Sequence, residues 1–233
     1  FELGADCVLM PTIDIRPPAD WQAVDAAIGE LDTFDWVVFT SANGVEHFLG
    51  RIWEFGGDLR QLSGRQIAAI GPATADALKQ YHLRADLVPT EYRGEALGEA
   101  LQPLVRHKRV LWARASRGRD VLPAMLRDAD ADVQEVVVYQ NVDVEHFDPQ
   151  AAELLDHGEV DWVALSSPSI ARRFAQLLSS EARRHLGDTL RLASISPVTS
   201  AAAADVDLPI HAEATDYTWP GLLQAIVSAE GTG

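Results

Sequence analysis

One stretch of the chain occurs twice. Trp36-Val37-Val38-Phe39-Thr40-Ser41-Ala42-Asn43-Gly44 returns as Trp162-Val163-Ala164-Leu165-Ser166-Ser167-Pro168-Ser169, and an aspartate, Asp35 or Asp161, precedes each copy. Both run as four apolar residues into two hydroxyl residues, then into an amphipathic segment. A short apolar run bounded by turn chemistry is the pattern of a buried parallel strand. Hydroxyls followed by helical periodicity mark the handover from strand to helix. The echo continues: Ile67-Ala68-Ala69-Ile70-Gly71-Pro72-Ala73-Thr74 returns as Leu192-Ala193-Ser194-Ile195-Ser196-Pro197-Val198-Thr199, and Thr90-Glu91-Tyr92 as Thr215-Asp216-Tyr217. The offset stays at about 125 residues, far beyond the period of a solenoid repeat. Three matches in one order imply two similar α/β units with parallel, flavodoxin-like sheets.

Two extended segments divide these units. Residues 15–17 lead into Pro17-Pro18, and residues 140–145 form a second extended stretch. Linkers so far apart imply one discontinuous domain, 1–14 plus 146–233, with 18–139 inserted as the other. The two linking strands, side by side, would form a hinge. Cys7-Val8-Leu9-Met10 reads as a strand after a helix end at Gly4, Leu87-Val88-Pro89 as a short edge strand, and Glu95 to Val105 as a helix. The second half carries a strand-and-helix block, Arg109–Arg114 and Val121–Leu126, with no counterpart in the first. The repeat therefore leads us to expect roughly twenty to thirty residues of strand and helix ahead of Phe1.

The 233 residues are 47% hydrophobic and 23% charged, which suits compact domains with real cores. No run is long and apolar enough to cross a membrane, and no secretory signal is visible. The single cysteine, Cys7, leaves no internal disulfide framework and is expected to be buried. A cytoplasmic protein is expected. The net charge of −16 argues against a nucleic-acid binder. None of the seven histidines pairs at metal-ligand spacing, and the common nucleotide-binding loops are absent.

Chemistry is therefore sought at the strand-to-helix turns, Thr40/Ser41, Thr74, Ser166/Ser167 and Thr199. Their hydroxyls can cap helices. They can also join exposed backbone N–H groups in holding carboxylate or phosphate at a helix amino end. The Arg114-Ala115-Ser116-Arg117-Gly118-Arg119 loop is the densest basic spot, either a solvated loop or an anion clamp. Tyr139 closes an apolar strand beside a linker, as a packed ring or as a weak acid facing a cleft. Trp36, Trp112 and Trp162 border strands and read as packing.

On Val38-Phe39-Thr40-Ser41-Ala42-Asn43-Gly44-Val45, Ile70-Gly71-Pro72-Ala73-Thr74-Ala75, Arg114 with Gly118-Arg119, Val138-Tyr139 and Leu165-Ser166-Ser167-Pro168-Ser169, the chain resembles the uroporphyrinogen-III synthase family over essentially its whole length. In the second copy, Ser196-Pro197-Val198-Thr199 stands where the family often has Gly-Pro-Thr-Thr. The resemblance implies two α/β domains joined by a two-stranded connector around a cleft. The implied substrate is hydroxymethylbilane, a linear tetrapyrrole with eight carboxylates. It loses water to an azafulvene cation and closes through a spiro intermediate with inversion of the last ring. No metal or organic cofactor is implied. The implied enzyme is a monomer, with Tyr139 assisting departure of the hydroxyl and Thr40, Ser41, Thr74, Arg114, Ser166, Ser167 and Thr199 holding carboxylates. Two rivals stand beside it: a non-catalytic hinge-type binding protein for a small polyanion, and a regulator of receiver-like units, whose strands would end in acidic residues rather than hydroxyls.

Overall fold

Each repeated apolar run becomes a strand: β2 (Trp36–Phe39) in the first copy and, in the second, Trp162–Leu165. The computed structural model describes residues 4–118 and 120–231. It separates into two compact units, Ile15–Val142 and the residues up to Asp14 together with those from Asp143 on.

The chain enters the first unit through β1 (Ile13–Arg16) and continues through α1 (Gln22–Gly29), β2, α2 (Ala42–Glu54), β3 (Gln66–Ala69), α3 (Pro72–Gln80), α4 (Gly94–Leu101), β4 (Arg109–Ala115) and α5 (Val121–Asp128). It leaves through β5 (Asp132–Asp143). The sheet order is β1-β5-β4-β2-β3, with β5, β4, β2 and β3 paired in parallel. Alternation along an all-apolar strand gives the sheet two dry faces. Val37 and Phe39 pack with Val24, Ile28, Phe48, Leu49 and Leu78, on the side of α1, α2 and α3. Trp36 and Val38 pack with Leu97, Leu101, Leu122 and Leu126, on the side of α4 and α5.

The second unit runs α6 (Pro149–Asp156), β6 (Trp162–Leu165), α7 (Pro168–Leu177), the short α8 (Ser180–Arg183), β7 (Arg191–Ser194), α9 (Pro197–Ala204), β8 (Ala212–Glu213) and α10 (Trp219–Glu230). Its sheet has the order β6-β7-β8, all parallel. Phe147, Leu155, Val163, Leu165, Phe174 and Leu192 form its main core. Among the described residues, no helix is long and apolar enough to cross a membrane.

Several expected elements are corrected. Residues 7–10 form no strand: Leu9 is 86% exposed, and Cys7 is exposed rather than buried. Among the described residues no strand pairs with them, so there their apolar side chains have no sheet to lie on. The helix end expected before Gly4 lies outside the described residues. Leu87-Val88-Pro89 shrinks to a single bridge, Leu87 with Ala68, as a proline without an N–H allows. The helix at Glu95 stops at Leu101, before Pro103. Residues 140–143, read as linker, continue β5.

Candidate functional site

The carboxyl ends of β2, β4 and β5 open onto a cavity of about 420 Å³ within the Ile15–Val142 unit. Ligands gather at such strand ends in open parallel sheets. Thr40, Ser41, Arg114 and Tyr139 line it, with Trp112, Asn141 and the Tyr92–Glu95 segment entering α4.

Ser41 stands where β2 gives way to α2. Its backbone is extended, and its Oγ accepts the Gly44 N–H at 3.0 Å, a helix cap. The same Oγ lies 3.0 Å from the Tyr139 Oη. Tyr139 reaches it because of a register shift: Arg114 pairs with Val137, but Ala115 pairs with Tyr139. The extra residue breaks strict alternation, so Val138 and Tyr139 both join the core on the α2 side. The phenol ring is 5% exposed and stacks on His47, centroids 5.6 Å apart and planes 17° apart. Its strand does not end there, as the sequence suggested, but runs on to Asp143.

Thr40 caps nothing; its Oγ1 receives the Trp112 Nε1–H at 3.1 Å. Trp112 is therefore more than packing, since its ring also lies 4.4 Å beneath the Arg114 guanidinium. Arg114 is no solvated loop residue. It sits in β4 with its side chain 13% exposed, bonded to Glu135 at 2.5 Å and Asp120 at 2.9 Å. Burial pulls its pKa down, but the bonds to those two carboxylates outweigh it and leave the group above its ordinary value. Arg117 and Gly118 border the cavity. Arg119, the last member of that basic loop, lies outside the described residues.

Thr74 does not line this cavity and does not cap: Gly71 stands at the cap position of α3, and Thr74 is buried in its first turn. Thr199 is likewise buried; the cap of α9 is Ser196, whose Oγ meets the Thr199 Oγ1 at 3.1 Å. Ser167 caps α7 by accepting the Ile170 N–H at 3.2 Å, and Ser166 precedes it at the end of β6. Sequence reasoning missed His47, Glu135, Asp120 and Tyr92. For Tyr92 a signal existed, its place in the repeat opposite Tyr217.

A family model described as "Uroporphyrinogen-III synthase HemD" matches residues 2–224. A protein of Synechococcus elongatus named uroporphyrinogen-III synthase is 31% identical over 233 residues, covering 96% of this chain and 86% of its own. One of Chlorobaculum parvum with the same name is 26% identical, covering 98% and 91%. Among solved structures, a uroporphyrinogen III synthase of Thermus thermophilus superposes with a TM-score of 0.61 at 19% identity, covering 100% of this chain and 92% of the other. A uroporphyrinogen-III synthetase of Helicobacter pylori gives 0.62 at 18% identity, covering 93% and 90%. Both share the fold.

Proposed function

The chain belongs to the uroporphyrinogen-III synthase family, cyclising lyases of porphyrin biosynthesis, and from that premise we propose how its own residues close hydroxymethylbilane. The observation that carries this reading is the Ser41–Tyr139 hydroxyl pair on the wall of the cavity. The phenol of Tyr139 donates to the terminal hydroxyl of the substrate. The C–O bond breaks with its electron pair going to oxygen, water leaves, and the pyrrole nitrogen pair forms the azafulvene cation. The last ring attacks that cation with the carbon that already bears its bridge, giving the spiro intermediate. The old bridge bond then breaks, leaving a second azafulvene cation, and the ring rejoins through its free α carbon, inverted. The proton lost from the closing ring returns to the phenolate. A phenol is a poor acid near neutrality but a good donor to a departing hydroxyl. Most of the remaining work is positioning, because the azafulvene also forms unaided.

Thr40 and Arg114 would hold carboxylates around Tyr139 by their side chains, and Ser41 through its backbone N–H, its hydroxyl being engaged with Gly44 and Tyr139. Thr74, Ser166, Ser167 and Thr199 would do so at the other helix amino ends, the buried Thr74 through its backbone N–H rather than its hydroxyl, and Thr199, whose N–H is held by Ser196, only through the positive amino end of α9. We read the two units as two domains, since each has its own sheet and core. Counted from β4, the first runs β5-β4-β2-β3 and then the Leu87 bridge; this is the 2-1-3-4-5 winding of flavodoxin-like folds, entered partway round. The same reading makes the protein a cytoplasmic monomer that needs neither cofactor, membrane nor nucleic acid.

The test is incubation with enzymatically generated hydroxymethylbilane, followed by isomer analysis. A synthase turns the product from the spontaneous isomer I to isomer III. A polyanion-binding protein without catalysis leaves isomer I.

A further inference from the structure

The two hydroxyls at the cavity wall stand in one hydrogen-bond chain with the amino end of α2. A hydroxyl has one proton to give and two lone pairs to offer. The Gly44 N–H, at the third position of α2, donates to Ser41 Oγ and occupies one of those pairs. The Ser41 proton remains, and the Tyr139 oxygen stands 3.0 Å away. A hydrogen bond polarised at its far end strengthens the next one along. The far end here is the amino terminus of a thirteen-residue helix, where the peptide dipoles sum to partial positive charge. The fit around the serine is close. A Cβ placed on Gly44 would come within 3.1 Å of Ser41 Oγ and 3.3 Å of the Ala113 carbonyl oxygen, so glycine leaves that hydroxyl its place.

We propose that Ser41 is a positioning residue for the dehydration step: it gives its proton to the Tyr139 oxygen, leaving the phenol's own O–H to point into the cavity. This rests on Tyr139 being the donor to the departing hydroxyl, as set out above. When the phenol's proton leaves with that hydroxyl as water, negative charge develops on Oη. The Ser41 O–H then faces an anion, and charge-assisted hydrogen bonds are roughly twice as strong as neutral ones. The gain is realised at the transition state and not in the substrate complex, so it raises turnover rather than affinity. Ser41 thus cap the helix and, through the same oxygen, couples that helix to the reacting group. The corresponding serine of the second copy, Ser167, shows the other outcome: it caps α7 in the same way, but its hydroxyl pairs with Ser169 at 3.0 Å.

The experiment combines kinetics with a spectroscopic readout at Tyr139. The ring carbon bearing the hydroxyl is labelled with carbon-13, and its signal is assigned through Tyr139→Phe. Ser41→Ala is expected to move that signal, and Ser41→Thr to return it. Ser41→Ala is also expected to lower kcat by about threefold to tenfold, the worth of one hydrogen bond, with KM little changed. Ser41→Thr restores most of that loss. Ser41→Asp keeps an acceptor for the Gly44 N–H, and so the fold, but has no proton for the phenol; it should lose at least as much turnover as Ser41→Ala. In a Tyr139→Phe background, Ser41→Ala should cost almost nothing more. A carbon-13 signal indifferent to Ser41→Ala overturns the proposal, as does a full additional loss in the double variant. Wild-type turnover in Tyr139→Phe removes the donor role beneath it; the carbon-13 response separates that outcome from failure of the Ser41 link.

Discussion

The segments 35–92 and 161–217 repeat not only in residues but in hydrogen bonds. Asp35 and Asp161 each accept, at the backbone carbonyl, the N–H that opens the neighbouring strand, from Gln66 and Arg191. Ile70 N–H donates to Phe39, as Ile195 N–H does to Leu165. α3 and α9 each end beside a left-handed residue, His82 with φ 59° and Asp207 with φ 57°. The Ile67 N–H is held by the Asp86 carboxylate at 2.7 Å, and the Leu192 N–H by His211 Nδ1 at 3.1 Å. What differs lies alongside. Among the described residues, β2 is flanked by β4 as well as β3, whereas β6 ends its sheet order. At the first copy, β4 brings Trp112 to Thr40 and, through β5, Tyr139 to Ser41. The turn occurs twice; at the first copy the neighbouring strands give its serine a second partner, Tyr139.

The largest effect that sharpens this contrast is expected at Tyr139. Tyr139→Phe keeps the ring on His47 and removes the donor, so turnover should fall by about tenfold to a hundredfold, with isomer III still dominant and thermal stability little changed. The paired acceptors come next. Asp86→Ala and His211→Ala each leave a buried strand N–H unpaired and should each cost about 1–3 kcal/mol in denaturant unfolding. His211→Asp restores an acceptor of the first copy's kind and should recover most of that. If it does not, the two side chains are not equivalent. Arg114→Ala should weaken product binding by about 1.5 kcal/mol, roughly tenfold, at the low end for a charged hydrogen bond because two carboxylates already hold it. Unchanged affinity in a calorimetric titration would reduce Arg114 to bracing Trp112.

The smallest effect is at Asp35. Its hydrogen bond to Lys108 holds its pKa below the ordinary carboxylate value against an opposing pull from burial, and the Arg109 N–H adds to the lowering. A carboxyl depressed in the folded state stabilises it above the unfolded pKa, and that contribution is lost as pH falls through the folded value. Asp35→Asn should cost no more than about 1 kcal/mol at pH 7, since the pair is partly exposed. Urea titrations of the two proteins should converge below about pH 4. A difference that persists in acid would place the cause elsewhere than in the charge.

Local chemistry was legible in the sequence. The apolar runs become β2, β3, β6 and β7, and the hydroxyls of Ser41 and Ser167 cap helices as turn residues should. Each of those outcomes depends on neighbours a few residues away. The rest depends on distant residues. Tyr139 stood out in the sequence, but the direction of its side chain did not, because a one-residue register shift against β4 leaves no mark in the apolar pattern. Arg114 stood out as basic, yet its partner Glu135 and the Trp112 ring come to it through strand pairing and alternation. Thr74 and Thr199 matched by alignment of the copies, but the residues before them, Gly71 and Ser196, take the cap positions. At position 71 a side chain, such as the serine that stands at 196, would press on Tyr92 at 3.1 Å. Residues 7–10 carried a strand's composition but pair with no strand among the described residues.

The claim that the first copy's turn, and not the repeat as such, holds the reaction centre is tested most directly by titrating uroporphyrinogen III under reducing conditions into nitrogen-15-labelled protein. Backbone amide shifts around Thr40–Gly44 and Tyr139–Asn141 should change together and saturate at one affinity. Shifts confined to Ser166–Ile170 and Ser196–Ser200, with Ser41, Gly44 and Tyr139 unmoved, would contradict the account.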